Sequence, residues 1–289
     1  MSFVFETIRV HQEGAVLFVA ISAPPMNLLG PELVRDLVYL IQRADAADDV
    51  CVLVFSSADP DYFISHVDVT RIKEYRAEAA KLVGEPSIAL LFRHLSASRL
   101  ITIAQIEGRV RGAGSEFVLA CDMRFAACES AVFGQLENAV GLVPGGGAIQ
   151  HLARLMGRGR ALEALLSSED YGAGLAEQYG WINRAMPAAT LAHFVASLAH
   201  RIGGFPAEGT ALIKDRVNAI TLAPVEDFRR DSDLFLEAAR YPESQGRSRR
   251  AMERGFQTRE GELKLARMLG GLSGSSALKK GSDDAAAGR

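Results

Sequence analysis

Two glutamates stand where chain geometry turns an ordinary surface residue into a chemical one. Glu116 closes the stretch Gly108-Arg-Val-Arg-Gly-Ala-Gly-Ser-Glu116, and Glu137 closes Phe133-Gly-Gln-Leu-Glu137. Each follows a glycine-bearing turn, and neither lies near a metal-ligand motif. A carboxylate pair presented in this way points to general acid/base work on a bound small molecule. Phe117-Val-Leu-Ala-Cys121 follows Glu116 directly, so that carboxyl is expected to be buried. Glu137 taken alone reads equally well as an exposed glutamate, because exposed Glu is common.

The segment 108–116 sets a glycine-rich turn between an apolar strand and a helical run that starts near Glu116. Such a turn leaves backbone N–H groups unpaired along the helix dipole, a site for an anion or a developing oxyanion. It is not the GxGxxG dinucleotide fingerprint, no Walker A lysine follows it, and the chain has no GxSxG nucleophile elbow. A second loop, Tyr62-Phe-Ile-Ser-His-Val-Asp68, follows an apolar strand at its carboxyl end, where α/β proteins place ligand contacts. Asp68 also reads as a plain helix N-cap in that position.

The elements that must carry these turns are α/β first and helical later. Val16-Leu-Phe-Val-Ala-Ile21, Val50-Cys-Val-Leu-Val-Phe55 and Ile101-Thr-Ile-Ala-Gln-Ile106 are short apolar runs rich in β-branched residues, as strands covered on both faces are. Between the first two, Gly30-Pro31-Glu32 opens a helix whose Leu33, Leu37, Leu40, Ile41 and Ala44 repeat at helical spacing. Strand, helix, strand implies a right-handed crossover and a parallel sheet. A helix is expected from Pro86 to Leu95, and helices dominate from 145 onward, over 145–156, 159–167, 173–179, 188–203, 206–222 and 225–239.

Composition bounds the class. The chain has 289 residues, 48% hydrophobic and 23% charged, ample for a large core. A net charge of −3 and a pI near 6.1 give no basic footprint for nucleic acid. Cys51, Cys121 and Cys128 have no metal or redox spacing and read as reduced core residues. No apolar run is long enough to span a bilayer and no secretory leader is evident, so a cytoplasmic protein without membrane partners is expected.

Six stretches in register make the sequence resemble the crotonase (enoyl-CoA hydratase/isomerase) superfamily over roughly residues 3 to 255. They are Pro25-Met-Asn27-Leu-Leu; Phe63-Ile-Ser-His-Val-Asp68; Glu107-Gly-Arg-Val-Arg-Gly-Ala-Gly-Ser-Glu-Phe117; Ala120-Cys-Asp122-Met-Arg124; Phe133-Gly-Gln-Leu-Glu137; and Leu142-Val-Pro-Gly-Gly-Gly-Ala-Ile-Gln-His-Leu152. The resemblance implies an α/β fold: a crotonase-like spiral of ββα turns over 1–203, then a C-terminal helical region over 204–270 that builds a homotrimer or a dimer of trimers. The remaining 271–289, rich in Gly, Ser, Ala and Lys, reads as a disordered tail.

The substrate implied is an acyl thioester of coenzyme A, with no separate cofactor and no metal. By motif, the N–H groups of Ser65 and Ala113 would form the oxyanion hole. Glu116 and Glu137 would hold a water and shuttle its protons to an α,β-unsaturated acyl group. Met26, Leu28, His66, Asp68, Arg111 and Gly112 would surround the substrate.

Three departures stand out. His66 and Ala113 replace glycines of the two oxyanion loops, where a positive φ is often needed, and Arg111 replaces a small or apolar residue. His66 and Arg111 would either recognise a carboxylate on the acyl chain or turn away into polar contacts of the protein. Both glutamates favour an enoyl-CoA hydratase-like lyase. Another crotonase-type activity, such as isomerisation or hydrolysis, and a weakly catalytic CoA-binding subunit are the alternatives.

Overall fold

The computed structural model describes residues 5–273. Its first part is a repeated ββα turn. The opening turn is the antiparallel pair β1 (Ile8–Glu13) and β2 (Val16–Ile21) followed by α1 (Pro31–Asp45). The next is β3 (Val52–Ser57), the short β4 (Tyr62–Ile64), and the helices α2 (Ile72–Val83) and α3 (Ile88–Ala97). The third is β5 (Ile101–Ile106), β6 (Arg109–Arg111) and α4 (Ala113–Ala120). The fourth is β7 (Met123–Ala127), β8 (Val132–Gly134), a 3-10 turn at Glu137–Val140 and α5 (Ala148–Ser167).

In the last three turns the first strand joins one sheet and the second joins another. With β9 (Tyr171–Gly172), α6 (Ala173–Tyr179) and β10 (Arg184–Met186), the orders become β1-β2-β3-β5-β7-β10 and β4-β6-β8-β9. Strands β2, β3, β5 and β7 pair in parallel, as the strand-helix-strand reading requires. This stacking of short second strands is what places the turns that follow β4, β6 and β8 beside one another.

The continuous apolar strands have cover on both faces. Val19, Ile21, Leu53, Phe55, Ala104 and Ile106 face the main core with α1 and α4. Val16, Val52, Val54, Ile101, Ile103 and Phe125 face Leu191, Val195 and Ala199 of α7 (Ala188–Gly203). Alternate residues of one strand therefore enter two different cores, and both sets are largely apolar, buried Thr102 being satisfied by Asp122. Among the cysteines only Cys121 is buried; Cys51 is half-buried and Cys128 is exposed, which corrects the expectation of three core thiols.

Beyond the spiral lie α8 (Ala207–Thr221), α9 (Val225–Ala238), α10 (Pro242–Glu253), α11 (Arg259–Leu263) and α12 (Leu265–Gly270). Helix α8 touches the core through Lys214, whose Nζ donates to the Leu100 carbonyl at 2.6 Å and to Asp122 at 2.8 Å. Its other face carries Leu212, Ile213, Val217 and Ile220, all more than half exposed. The helices α10 to α12 behave differently: Ala251, Phe256, Leu265, Leu269 and Leu272 pack on Leu136 and Val140 of the spiral. Leu272 belongs to a 3-10 turn over Gly271–Ser273, so ordered chain continues past residue 270. The rest of the expected tail, 274–289, lies outside the described residues. Among the described residues no helix is long and apolar enough to cross a membrane.

Candidate active site

Helix α4 carries the first carboxyl. Its N-cap is Gly112, at φ 49°, and Ala113 opens the helix, so the Ala113 N–H is one of those an α-helix leaves unpaired at its start. Glu116, one turn on, is buried, and its Oε1 accepts the N–H groups of Gly146 at 2.7 Å and Ala148 at 3.2 Å. Only glycine fits at 146, because a Cβ there would lie 2.3 Å from Glu116 Oε2. The Gly145-Gly-Gly147 run thus provides the backbone donors that hold a buried carboxylate.

Glu137 begins the 3-10 turn after β8 and is also buried. Its bond from Gln135 Nε2 is long, 3.3 Å. The two carboxyls line one cavity of about 320 Å³ whose wall is otherwise largely apolar, with Val69, Ile72, Val140, Leu142 and Phe235 prominent. That is the size and character of a small-molecule site.

Burial dominates the electrostatics. For Glu116 desolvation raises the pKa against the pull of the Gly146 and Ala148 donors. For Glu137 desolvation raises it too, and the neighbouring Glu116 charge adds to the shift. Two carboxyls this close in a buried site oppose each other's ionisation, so charging one disfavours charging the other. Glu116, held by two N–H donors, is the better anion; Glu137 is the better holder of the shared proton.

The other turn arrives from β4. Gly114 of α4 approaches so closely that a Cβ would meet the Ile64 carbonyl oxygen at 2.1 Å, which joins the start of α4 to the end of β4. Ser65 follows Ile64, is fully buried, and its Oγ donates to the Met26 carbonyl. Leu29 N–H donates to the His66 carbonyl at 2.8 Å and Asp68 N–H to the Leu29 carbonyl at 3.2 Å. Asn27, at φ 52°, accepts from Ala23 N–H and donates through Nδ2 to Ser57 Oγ and to the Tyr62 and Phe63 carbonyls. Segment 26–30 is therefore a splint behind the 65–68 loop.

Of the residues expected around a substrate, Ala113 and His66 border the cavity with the two glutamates. Met26, Leu28 and Asp68 do not; Met26 and Leu28 belong to the splint, and Asp68 binds Thr70 and Gln257. Gly112 sits behind the carboxyl of Glu137, 3.1 Å from it at the position of a notional Cβ. The backbone explains the replaced glycines. Among the described residues the non-glycine positions with positive φ are Asn27, Ser168 and Gln257, so neither His66 nor Ala113 is strained there.

Arg111 corrects the expectation of a substrate contact. It is 1% exposed and turned away from the cavity. Nε and Nη2 grip the two Asp170 oxygens at 2.7 and 2.8 Å, and Nη1 donates to the Glu262 carbonyl at 3.0 Å. His66 joins the same network: Nε2 lies 2.9 Å from Glu262 Oε1, Nδ1 lies 2.7 Å from the Val67 carbonyl, and the ring stacks on Phe256 at 4.4 Å.

Glu262 is the residue that sequence reasoning missed. It is fully buried on α11; burial alone would raise its pKa, but the His66 and Arg111 charges and the His66 hydrogen bond hold it low. Its signal was indirect. Two cationic side chains that replace small residues in buried loops require an anion from elsewhere in the chain. Gln257 strengthens the strap, with Oε1 accepting the Val69 N–H at 2.7 Å, and Tyr62 Oη donates to the Arg259 carbonyl at 2.7 Å. The C-terminal segment thus closes over the loops of its own chain.

Comparison with known proteins bears on the family and the fold. A family model described as enoyl-CoA hydratase/isomerase matches residues 11–257. The short-chain-enoyl-CoA hydratase of Clostridium acetobutylicum is 27% identical over 212 residues, 73% of this chain and 80% of its own length. Among solved structures, a candidate enoyl-CoA hydratase from Streptomyces avermitilis superposes with a TM-score of 0.91 at 50% identity, covering 93% of this chain and 98% of its own. An enoyl-CoA hydratase from Mycobacterium avium subsp. paratuberculosis K-10 gives 0.74 at 25% identity over 86% of this chain and 97% of its own.

Two outcomes follow from the electrostatics. A folded-state carboxyl pKa raised above the unfolded value gives stability that is full at low pH and lost as pH rises through the folded pKa. Glu137→Gln, permanently neutral, should therefore melt above wild type at alkaline pH, by about 2–4 °C per kcal/mol relieved. The difference should vanish towards acid pH; a gain independent of pH in thermal melts would contradict the burial argument.

Glu262→Ala leaves the buried His66 ring without its carboxylate partner, while Arg111 keeps Asp170, and should cost roughly 1–3 kcal/mol. Amide exchange of 255–272 should quicken well before global unfolding. Unchanged protection there would show that the strap does not depend on this carboxylate. Because the Glu262 pKa is held low, its stabilisation is present above the ordinary carboxylate range and lost as pH falls through the folded value.

Proposed function

Because the chain belongs to the enoyl-CoA hydratase/isomerase family and is an enzyme of that kind, we propose that it adds water to an α,β-unsaturated acyl-CoA. The observation that carries this reading is the pair of buried carboxyls, unequally hydrogen-bonded, on one apolar cavity beside the start of α4. Hydration needs a base for the water and an acid for the α-carbon, and two carboxyls with different environments can divide those roles.

In this reading the thioester carbonyl lies against the N–H groups of Ala113 and Ser65, which stabilise the enolate oxygen as charge develops. Glu116, the better-held anion, takes a proton from water as its oxygen bonds to the β-carbon. Glu137 gives its proton to the α-carbon. One water is consumed, both of its hydrogens are accounted for, and the pair is restored when the proton on Glu116 returns to Glu137. The apolar wall keeps other water away from the enolate. Isomerisation would need only one of the two carboxyls, which leaves the second without a task.

The test is hydration of trans-2-enoyl-CoA esters, followed by loss of the conjugated absorbance and by entry of oxygen from labelled water at the β-carbon. Glu116→Gln and Glu137→Gln should each lower kcat by about 10²–10⁴ while CoA ester affinity is kept. Double-bond migration without label would make the protein an isomerase, and wild-type turnover in either variant would remove that glutamate from the chemistry.

The apolar face of α8 supports self-association, since a contiguous exposed patch of this kind marks an interaction surface. The resemblance implies a trimer or a dimer of trimers of the 31.1 kDa chain. Light scattering should give a mass that is a multiple of three, and Ile213→Asp with Ile220→Asp should lower it; a monomer at micromolar wild-type concentration would end this reading.

A further inference from the structure

The described residues include three buried arginines, and two are fully committed to the fold. Arg111 is gripped by Asp170, and Arg124 donates to the carbonyls of Trp181, Cys121 and Val118 at the end of α4. The third, Arg76 on α2, is not. It is 8% exposed and borders the same cavity as Glu116 and Glu137. Among the described residues its sole hydrogen bond runs from Nη1 to Ser232 Oγ at 3.1 Å, and no carboxylate among them lies within ion-pair distance. Exposed Asp233 acts on it only through space, and burial pulls its pKa down. Beside it Tyr75, 2% exposed, also lines the cavity, and its hydroxyl has no hydrogen-bond partner among the described residues.

A guanidinium with free donors on an otherwise apolar wall is costly unless something binds it. A neutral alkyl chain would cover Nε and Nη2 with methylenes and remove what water they hold. A carboxylate would meet the planar fork in the geometry it favours. Resting on the hydratase reading above, we propose that Arg76 is a specificity determinant for acyl-CoA esters whose acyl chain ends in a carboxylate, with the Tyr75 hydroxyl as a second donor. Discrimination of this sort is strong because the wrong substrate leaves a buried donor unpaired, not merely because the right one gains a contact. The carboxylate recognition expected of Arg111 is thereby moved to Arg76, which borders the cavity as Arg111 does not.

The experiment measures kcat/KM of the full-length protein for pairs of trans-2-enoyl-CoA esters of equal length, one ending in a free carboxylate and one in a methyl group. Wild type should favour the carboxylate by about tenfold to hundredfold. Arg76→Met should bring the ratio near one, Tyr75→Phe should lower it less, and Arg76→Lys, which keeps the charge without the fork, should retain part of it. A wild-type ratio at or below one overturns the proposal even if Arg76→Met fails to fold. So does an equal loss on both esters in Arg76→Met, which would assign the guanidinium to the CoA phosphates or to the fold. If neither ester turns over, calorimetric affinities for the saturated carboxylated and neutral acyl-CoAs read the same ratio. A preference that Arg76→Met abolishes would then uphold selectivity while ending the hydratase reading.

Discussion

The structure depends on keeping the Glu116 carboxyl out of water without leaving it unpaired. A buried carboxylate is affordable only with donors aimed at it, and here the donors are backbone N–H groups of Gly146 and Ala148. That requirement reaches far along the chain. It brings the start of α5 against α4, demands a residue without a side chain at 146, and fixes the direction in which α4 points from its Gly112 cap. Helix α4 has eight residues, too few to persist alone, so its far end is held by Arg124. The second carboxyl inherits its behaviour from the first, because its burial beside Glu116 resists a second charge.

A second constraint governs the loops. His66 and Ala113 stand where the family resemblance implies glycines, yet neither backbone takes a positive φ; in the second turn Gly112 takes it instead. What the replacements bring is charge and bulk. Glu262 and Asp170 neutralise His66 and Arg111, and Phe256 covers the imidazole ring. The C-terminal helices are thereby tied to the loop that would bind the thioester. Of that region, the apolar face of α8 remains uncovered among the described residues, while α10 to α12 turn inward.

The sequence by itself determined the frame. Period and punctuation located α1, since Pro31 and the Leu33–Ala44 stripe can only be read as one helix face. Apolar runs located β2, β3 and β5, because strands covered on both sides admit no polar alternation. The glycine turns marked both glutamates and the start of α4 because their chemistry is local: the turn and the residue it presents are contiguous. The family resemblance rested on the same contiguous stretches.

Only the tertiary structure decided the environment of each charge. That Glu137 is buried, that Arg111 is spent on Asp170, that His66 meets Glu262 and that Arg76 faces the cavity are all facts about residues tens to hundreds of positions apart. Helical spacing alone could not distinguish Arg76 from an exposed arginine on the same helix. The strap over the loops escaped detection for the same reason, since its helices past residue 239 are short and the apolar positions that reach Leu136 and Val140 are scattered along them. Burial and pairing are collective properties of the packed chain, and a charge has no chemistry to declare until its partner, or the want of one, is in place.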